Sequence, residues 1–344
     1  MLLQIENLQH SYAPSKETFS YLSFSLDAGE IFCLLGPSGC GKSTLLQCLA
    51  GFEKPQAGQV TLKGKEITHL APEKRGIGLV FQDYSLFPHL SVEQNITYGL
   101  RHISKHAKIE RCLELLKLFN LESHQKKFPH ELSGGEQQRV AIARAMAPKP
   151  ELILFDEAFS NLDPSLRKTL RQELKDLLHE TKTSAIFITH DQEEAFDLGE
   201  NIGVLYNGRL QQVGAAYDLY HSPQTEFMAR FIGSNQFIIG EHNGEGLVKT
   251  QLGDIQLEIS KDLNEVLVYL PYSAFSLHHS GEGEFRGKIK RKSFQGETYR
   301  YDVFVPELNK DFSQIQDSRD FKWGEDVDLS INTQKINRAF PRFI

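Results

Sequence analysis

The 344 residues exceed a typical single domain and predict two, each able to bury a core. With 38 Lys plus Arg against 45 Asp plus Glu, the formal charge of -7 excludes a general electrostatic pull toward nucleic acid or anionic lipid, so any phosphate binding must be local. Cys33, Cys40, Cys48 and Cys112 show no CxxC spacing and fit reduced thiols of a cytosolic protein. The start, "MLLQIENLQH", lacks the pattern of a signal peptide, and no run of about 18 apolar residues offers a spanning helix, so work at a membrane would need another chain to hold this one there.

In chain order, "EIFCLLG" (30–36) reads as a buried strand and "KSTLLQCLAG" after it as a helix closed by Gly51. Between residues 91 and 146 strand signals nearly vanish and helical periodicity takes over, which predicts an inserted helical subdomain over about 88–147. "LILFDE" (152–157) and "SAIFITH" (184–190) are further core strands. The helix between them opens at "DPSL", where Asp163 can cap and Pro164 suits the first helical position. Leu166, Leu170, Leu174, Leu177 and Leu178 recur at helical spacing and are assigned to core packing. Strand, helix, strand repeats imply an α/β fold with a parallel sheet covered by helices. In "IGVLYNGRLQQVG", Asn207-Gly208 between two strand-like runs signals a hairpin, and a helical stretch, "PQTEFMARFIG", follows. Beyond about residue 236, short alternating segments broken by Gly and Pro predict a small all-β, barrel-like domain. The expected division is 1–235 and 236–344.

Three motifs carry chemistry. Gly36-Pro37-Ser38-Gly39-Cys40-Gly41-Lys42-Ser43, followed by Thr44, satisfies G-x-x-x-x-G-K-[ST] between a predicted strand and helix. Its glycines permit close backbone approach, amides at the helix start face phosphate, Lys42 neutralises charge and the Ser43 hydroxyl can ligate Mg²⁺. Cys40 is either a thiol activated by Lys42 and the helix start or a small residue that fits. Next, the apolar run 152–155 delivers Asp156 and Glu157 to a strand end. They suit holding hydrated Mg²⁺ and activating the attacking water, respectively; an acidic turn is the plainer reading. Finally, Ser133-Gly134-Gly135-Glu136 in "LSGGEQQR" has the capping-box form S-x-x-E, so a structural helix start is one reading. Two early helical glycines cost roughly 1 kcal/mol each relative to Ala. Something is therefore expected to approach that backbone, and a helix amino terminus with a serine hydroxyl suits a terminal phosphate.

"LSGGEQQRVAIARAMA", the phosphate loop, "LILFDEAFSNLD" and "ITHDQEEA" together resemble an ABC transporter ATP-binding subunit over roughly residues 1 to 235. The resemblance implies a P-loop ATPase with a helical subdomain. It further implies a head-to-tail dimer in which Ser133, Gly134, Gly135 and Glu136 of one copy close over ATP on the phosphate loop of the other. It places Tyr12 against adenine, Gln82 beside Mg²⁺ and water, Asp163 in a loop joining the two sites, and His190 at the γ-phosphate. A strand-edge, a capping and a structural role stay open for Tyr12, Asp163 and His190. Ala158 stands where proline is usual, which loosens that turn without removing a catalytic group.

"QQVGAAYDLYHSPQTEFMARFIG" and the β domain after it resemble importers with an OB-like/TOBE regulatory domain, most of all ferric-iron import ATP-binding proteins; polyamine, sulfate and sugar importers share most of these words. "LPYSAF" departs from that group's pattern. Implied partners are transmembrane permease subunits and, indirectly, a solute-binding protein, at the cytoplasmic face of the inner membrane. A soluble ABC ATPase is the alternative, but the single cassette and compact interval disfavour it. His102 and His106 are read as solvent-facing rather than metal-binding. Lys288, Lys290, Arg291 and Lys292 are read as a solvated strand face, with no nucleic-acid partner.

Overall fold

Apolar runs too short for helices and segments with helical periodicity bury their faces only against each other, and layers result. The computed structural model describes residues 1–13, 16–100, 103–233, 236–260 and 263–342. His102 lies outside the described residues; His106 is exposed and pairs with Glu110 at 3.3 Å. Contacts divide the chain into two compact units, Met1–Ala216 and Tyr217–Ile344.

The first unit runs β1 (Leu3–Ala13), β2 (Lys16–Leu26), β3 (Ile31–Leu35), α1 (Lys42–Ala50), β4 (Ala57–Leu62), β5 (Lys65–Glu66) and β6 (Ile77–Val80). Helices α2 (Val92–Thr97), α3 (Lys105–Leu118) and α4 (Gly134–Met146) fill the interval before β7 (Leu152–Asp156). Then come α5 (Pro164–Glu180), β8 (Ser184–Thr189), α6 (Gln192–Leu198), β9 (Asn201–Tyr206) and β10 (Arg209–Gly214).

The central sheet has the order β10-β9-β3-β8-β7-β6 and is parallel apart from the β9–β10 hairpin. At that hairpin Asn207 and Gly208 both take positive φ, as a type I′ turn requires. A second, antiparallel sheet of order β2-β1-β4-β5 shares its core: Leu3, Ile5 and Leu8 meet Phe32, Leu34, Leu45 and Leu49. Register positions the site. Leu35 of β3 lies opposite Thr189 of β8, and Asp156 of β7 opposite Ile188. β3 and β8 thus end level and β7 one residue earlier, and Gly36, His190 and Glu157 follow them at the carboxyl edge, where ligands bind in such sheets.

Two expectations for α5 need correction. Leu170, Leu174 and Leu178 are buried, but Leu177 is only partly so and Leu166 is 38% exposed, because it covers Gly135 of α4 at the edge of the core. Asp163 occupies the cap position with extended backbone, yet its exposed carboxylate accepts no capping hydrogen bond and is left to solvent.

The second unit begins within α7 (Ala216–His221), and α8 (Glu226–Ile232) then precedes β11 (Phe237–His242), β12 (Leu247–Thr250), β13 (Gly253–Gln256), β14 (Glu265–Tyr269) and β15 (Phe275–His279). β16 (Phe285–Phe294), β17 (Tyr299–Val305), β18 (Lys310–Asp317), β19 (Asp326–Ile331) and β20 (Ala339–Pro341) complete it. Two antiparallel sheets, β13-β12-β11-β14-β20 and β15-β19-β16-β17-β18, bury one core that includes Val248, Val268, Leu277, Val303, Phe312 and Leu329, an all-β arrangement of the OB-like/TOBE kind. The basic run of β16 is exposed around buried Ile289, with Lys290 and Lys292 resting over Phe304 and Tyr299 at 5.0 and 4.4 Å. It is a solvated face.

Phe155 of β7 is fully buried and stacks on Phe187 of β8 with ring centroids 4.2 Å apart. Phe155→Ala should therefore lower unfolding stability by about 3–5 kcal/mol in denaturant titration, the range for removing a buried aromatic.

Candidate functional site

Gly36 leaves β3 where an added Cβ would lie 2.2 Å from the Leu205 carbonyl oxygen of β9, so packing alone excludes a side chain. Gly41 precedes α1 with φ 104°, a left-handed conformation, and forms a helix start with no side-chain cap. The amides there have no serine or aspartate of their own to satisfy them, which suits an anionic ligand. Lys42 is buried, and its ammonium donates to the carbonyls of Gly36 and Pro37 at 2.8 and 2.9 Å. Ser38 and Gly39 are exposed. Burial pushes the Cys40 thiol up and outweighs the lowering by Lys42, whose Nζ lies 3.9 Å from its sulfur. Cys40 is thus the small residue that fits. The four cysteines are all free and buried.

The acidic wall faces this loop. Ser43 Oγ, in the first turn of α1, donates to Asp156 Oδ1 at 3.3 Å. Burial raises the Asp156 pKa and the neighbouring Glu157 charge adds to the rise, against the Ser43 hydrogen bond and Lys42. Glu157 then turns the chain with φ 45°, a left-handed conformation unusual for a side chain of this size. Its amide donates to the Ile188 carbonyl at 3.0 Å, and its own carbonyl accepts from the amide and hydroxyl of Ser160 at 3.1 and 2.8 Å. These bonds hold the turn, with Ala158 buried in it, so no proline ring is needed. Glu157 Oε1 lies 3.2 Å from His190 Nδ1. Gln82 joins the same turn: its Nε2 donates to Ser160 Oγ at 3.2 Å and its carbonyl accepts from Asn161 at 2.9 Å.

Tyr12, near the end of β1, is 59% exposed rather than buried at a strand edge, and its hydroxyl lies 3.3 Å from Thr44 Oγ1 and 3.4 Å from Gln47 Oε1. One open aromatic ring therefore stands over the helix that follows the phosphate loop.

The second glycine-rich helix start forms a separate cluster. Ser133 Oγ accepts the Glu136 amide at 3.4 Å, while the Ser133 amide and hydroxyl both donate to Glu136 Oε2, at 2.7 and 2.8 Å. The Ser133 amide bond is the main reason the Glu136 pKa is lowered, and His124 supports it from 2.9 Å. Ser133 and Gly134 are exposed. Gly135 is buried, and an added Cβ would sit 3.3 Å from both Leu166 and Leu170 of α5. The neighbour expected near this backbone is, for Gly135, the chain's own leucines.

Sequence reasoning passed over the residues that brace the site. Arg75 is buried and donates to the carbonyls of Leu70, Cys48, Leu49 and Thr68 at 2.7–2.8 Å, locking the end of α1. Asn95 is fully buried and ties the Phe87 amide to the carbonyls of Phe87, Leu90 and Ser91, shaping the segment after Gln82. Arg144 of α4 holds the carbonyls of Tyr84 and Ser85 at 2.9 and 2.7 Å. Each of these acts on backbone groups, so no motif marks it.

The ABC transporter family profile matches residues 19–160. A spermidine/putrescine import ATP-binding protein PotA from Marinobacter nauticus is 37% identical over 349 residues, covering 96% of this chain and 92% of the relative. A Fe(3+) ions import ATP-binding protein FbpC from Fusobacterium nucleatum is 36% identical over 345 residues, covering 97% and 92%. The sulfate/thiosulfate import ATP-binding protein CysA 2 of Chromobacterium violaceum is 44% identical over 244 residues, covering 70% and 66%. Among solved structures, cbiO1 of Clostridium perfringens, part of the ABC transporter complex cbiONQ, superposes with TM-score 0.59 at 29% identity, covering 62% of this chain and 88% of its own. A dimeric ATP-binding cassette in a post-hydrolysis state, bound to ADP and Pi, superposes with TM-score 0.55 at 31% identity, covering 62% and 98%. With the phosphate loop, acidic wall and second helix start in place, the chain belongs to the ABC transporter ATP-binding family, as an ATP-hydrolysing subunit of the import type.

Proposed function

We propose that two copies of this chain pair head to tail, each ATP lying between the 36–44 loop of one and Ser133–Glu136 of the other, and that permease subunits turn the resulting clamp cycle into solute uptake. The observation that carries this reading is the separation of the two clusters: the loop bonds with Asp156 and Tyr12, while Ser133 and Glu136 bond with each other and His124. Each half offers an exposed helix start, and a second copy brings the halves together.

Within one site, loop amides and Lys42 take the phosphates, and Tyr12 takes the base on its open face. Ser43 and Asp156 fit Mg²⁺, being hard oxygen donors 3.3 Å apart with a carboxylate whose charge is penalised by burial. Bound there, Mg²⁺ would neutralise charge on the β- and γ-phosphates. Gln82, assigned to the same ion from the sequence, is turned toward Ser160 and adjoins the Glu157 turn. Glu157 accepts a proton from water attacking the γ-phosphorus as the bond to the β-phosphate oxygen breaks and ADP leaves. His190, 3.2 Å from Glu157, holds that carboxylate and reaches the γ-phosphate. Asp163, exposed beyond the turn, faces the partner copy.

The complex would sit at the cytoplasmic face of the inner membrane, held by its permease and served by a solute-binding protein. Among the described residues no helix is long and apolar enough to cross a membrane. For cargo we retain ferric iron, with polyamine as the second reading because relatives named for each match nearly the whole chain at 36% and 37% identity. Uptake of ferric iron and of putrescine in a strain lacking this chain decides between them.

Glu157→Gln should lower ATP turnover by about 10²-fold or more while retaining ATP binding and accumulating dimer in gel filtration; unchanged turnover removes Glu157 from its role. Ser133→Arg should abolish hydrolysis without weakening nucleotide binding to the single chain. Mixed with Lys42→Ala, it should form dimers with one intact composite site that trap one ATP; failure of every mixed dimer to trap ATP would refute sharing.

A further inference from the structure

One buried carboxylate close to the site has no part in the chemistry above. Glu194 of α6 is 4% exposed. Its Oε2 accepts the Thr189 hydroxyl at 2.9 Å, and its Oε1 is buried without a hydrogen-bond partner. Thr189 Oγ1 also accepts the Asp191 amide at 3.0 Å, and the Asp191 carboxylate accepts the amides of Glu193 and Glu194 at 2.8 and 3.3 Å. His190 is the residue between. We infer that Glu194 is a positioning residue for ATP hydrolysis, which fixes through Thr189 the backbone that carries His190 toward Glu157. The inference rests on the role given to His190 above.

Burying a carboxylate is costly. Among the described residues no cation forms an ion pair with Glu194. Arg171, itself buried on α5, directs its guanidinium to Asp197 at 3.0 Å and Glu193 at 3.7 Å. What the carboxylate supplies is an acceptor for Thr189, and a charged acceptor makes the stronger bond.

The charge also makes the contact pH-dependent. Burial raises the Glu194 pKa to about 7; Asp191 adds to the rise, and the Thr189 bond, Arg171 and Arg167 oppose it. Cys33 of β3 also faces it, a thiol raised by burial and by Glu194. Above pH about 7, Thr189 donates to an anion; below it, to a neutral carboxyl. Stability runs the other way. A carboxyl with a raised folded-state pKa contributes stability that is fully present below its unfolded value of 4.5 and is lost as pH rises through about 7. The positioning role thus predicts that one ionisation helps hydrolysis while lowering stability.

Steady-state ATP hydrolysis by the full chain tests this with Thr189→Val, Glu194→Ala, Glu194→Gln and His190→Ala. Thr189→Val and Glu194→Ala should lower kcat about tenfold with KM for ATP within about twofold. Glu194→Gln, which keeps an acceptor, should match wild type below pH about 7 and fall about threefold beneath it above that pH, while removing the loss of thermal stability between pH about 4.5 and 7. Wild-type kcat in folded Thr189→Val overturns the inference even if Glu194→Ala fails to fold, as does a ratio of wild-type to Glu194→Gln kcat that stays constant across pH. Full activity in His190→Ala defeats the site reading itself. Loss of activity there, with Thr189→Val unaffected, defeats this inference alone.

Discussion

The register of three parallel strands is the constraint on which the site depends. β3, β8 and β7 are buried on both faces apart from the end of β7, so hydrophobic alternation cannot fix how they slide past each other. Phe155 and Phe187 can. They are direct neighbours across β7 and β8, and their rings stack at an interplanar angle of 5°. Slipping that pair by one residue would turn one ring to the opposite face and move His190 relative to Glu157. An apolar stack in the core thereby sets a polar contact of 3.2 Å at the sheet edge.

The two glycine-rich helix starts use different physics. At α1 the cap is a left-handed glycine with no side-chain acceptor, and the loop itself supplies a cation, Lys42. At α4 the chain satisfies its own amides through Ser133 and Glu136. A phosphate arriving at Ser133 must compete with Glu136 for the same hydroxyl proton, while His124 draws on the Glu136 charge from the far side. Such a start holds a phosphate poorly alone and better when a second surface supplies most of the binding. This matches the proposed division of labour between copies.

Motifs were legible where the chemistry lies within a few consecutive residues: the phosphate loop, the Asp156-Glu157 pair and the capping box each fold onto themselves. The Asn207-Gly208 hairpin was legible for the same reason, since its dihedrals belong to the dipeptide. Periodicity revealed α5 but not how much of its stripe faces inward, and Leu166 at its first turn lies over Gly135 instead. Arg75 was illegible because topology brings the Cys48 and Leu49 carbonyls to it, and Asn95 and Glu194 because their nearby partners are backbone groups or a lone threonine, which form no motif. In the β domain, alternation marked strands without marking neighbours. The pairing of β14 with β20 joins segments some seventy residues apart in sequence.

The conformation of Glu157 shows why a carboxylate stands at that position. A non-glycine residue held in the left-handed region costs on the order of 1–3 kcal/mol and persists only where its surroundings over-determine it. Here the Ile188 carbonyl takes its amide and Ser160 takes its carbonyl, so both sides of the residue are fixed. Glycine would relieve the strain at once but would remove the group that meets His190. Continued extended backbone would place the side chain on the face opposite that of Asp156. The reversal after Asp156 keeps both carboxylates at the sheet edge, one bonded to Ser43 and the other to His190. Strain at this turn is therefore the cost of serving two tasks with consecutive residues.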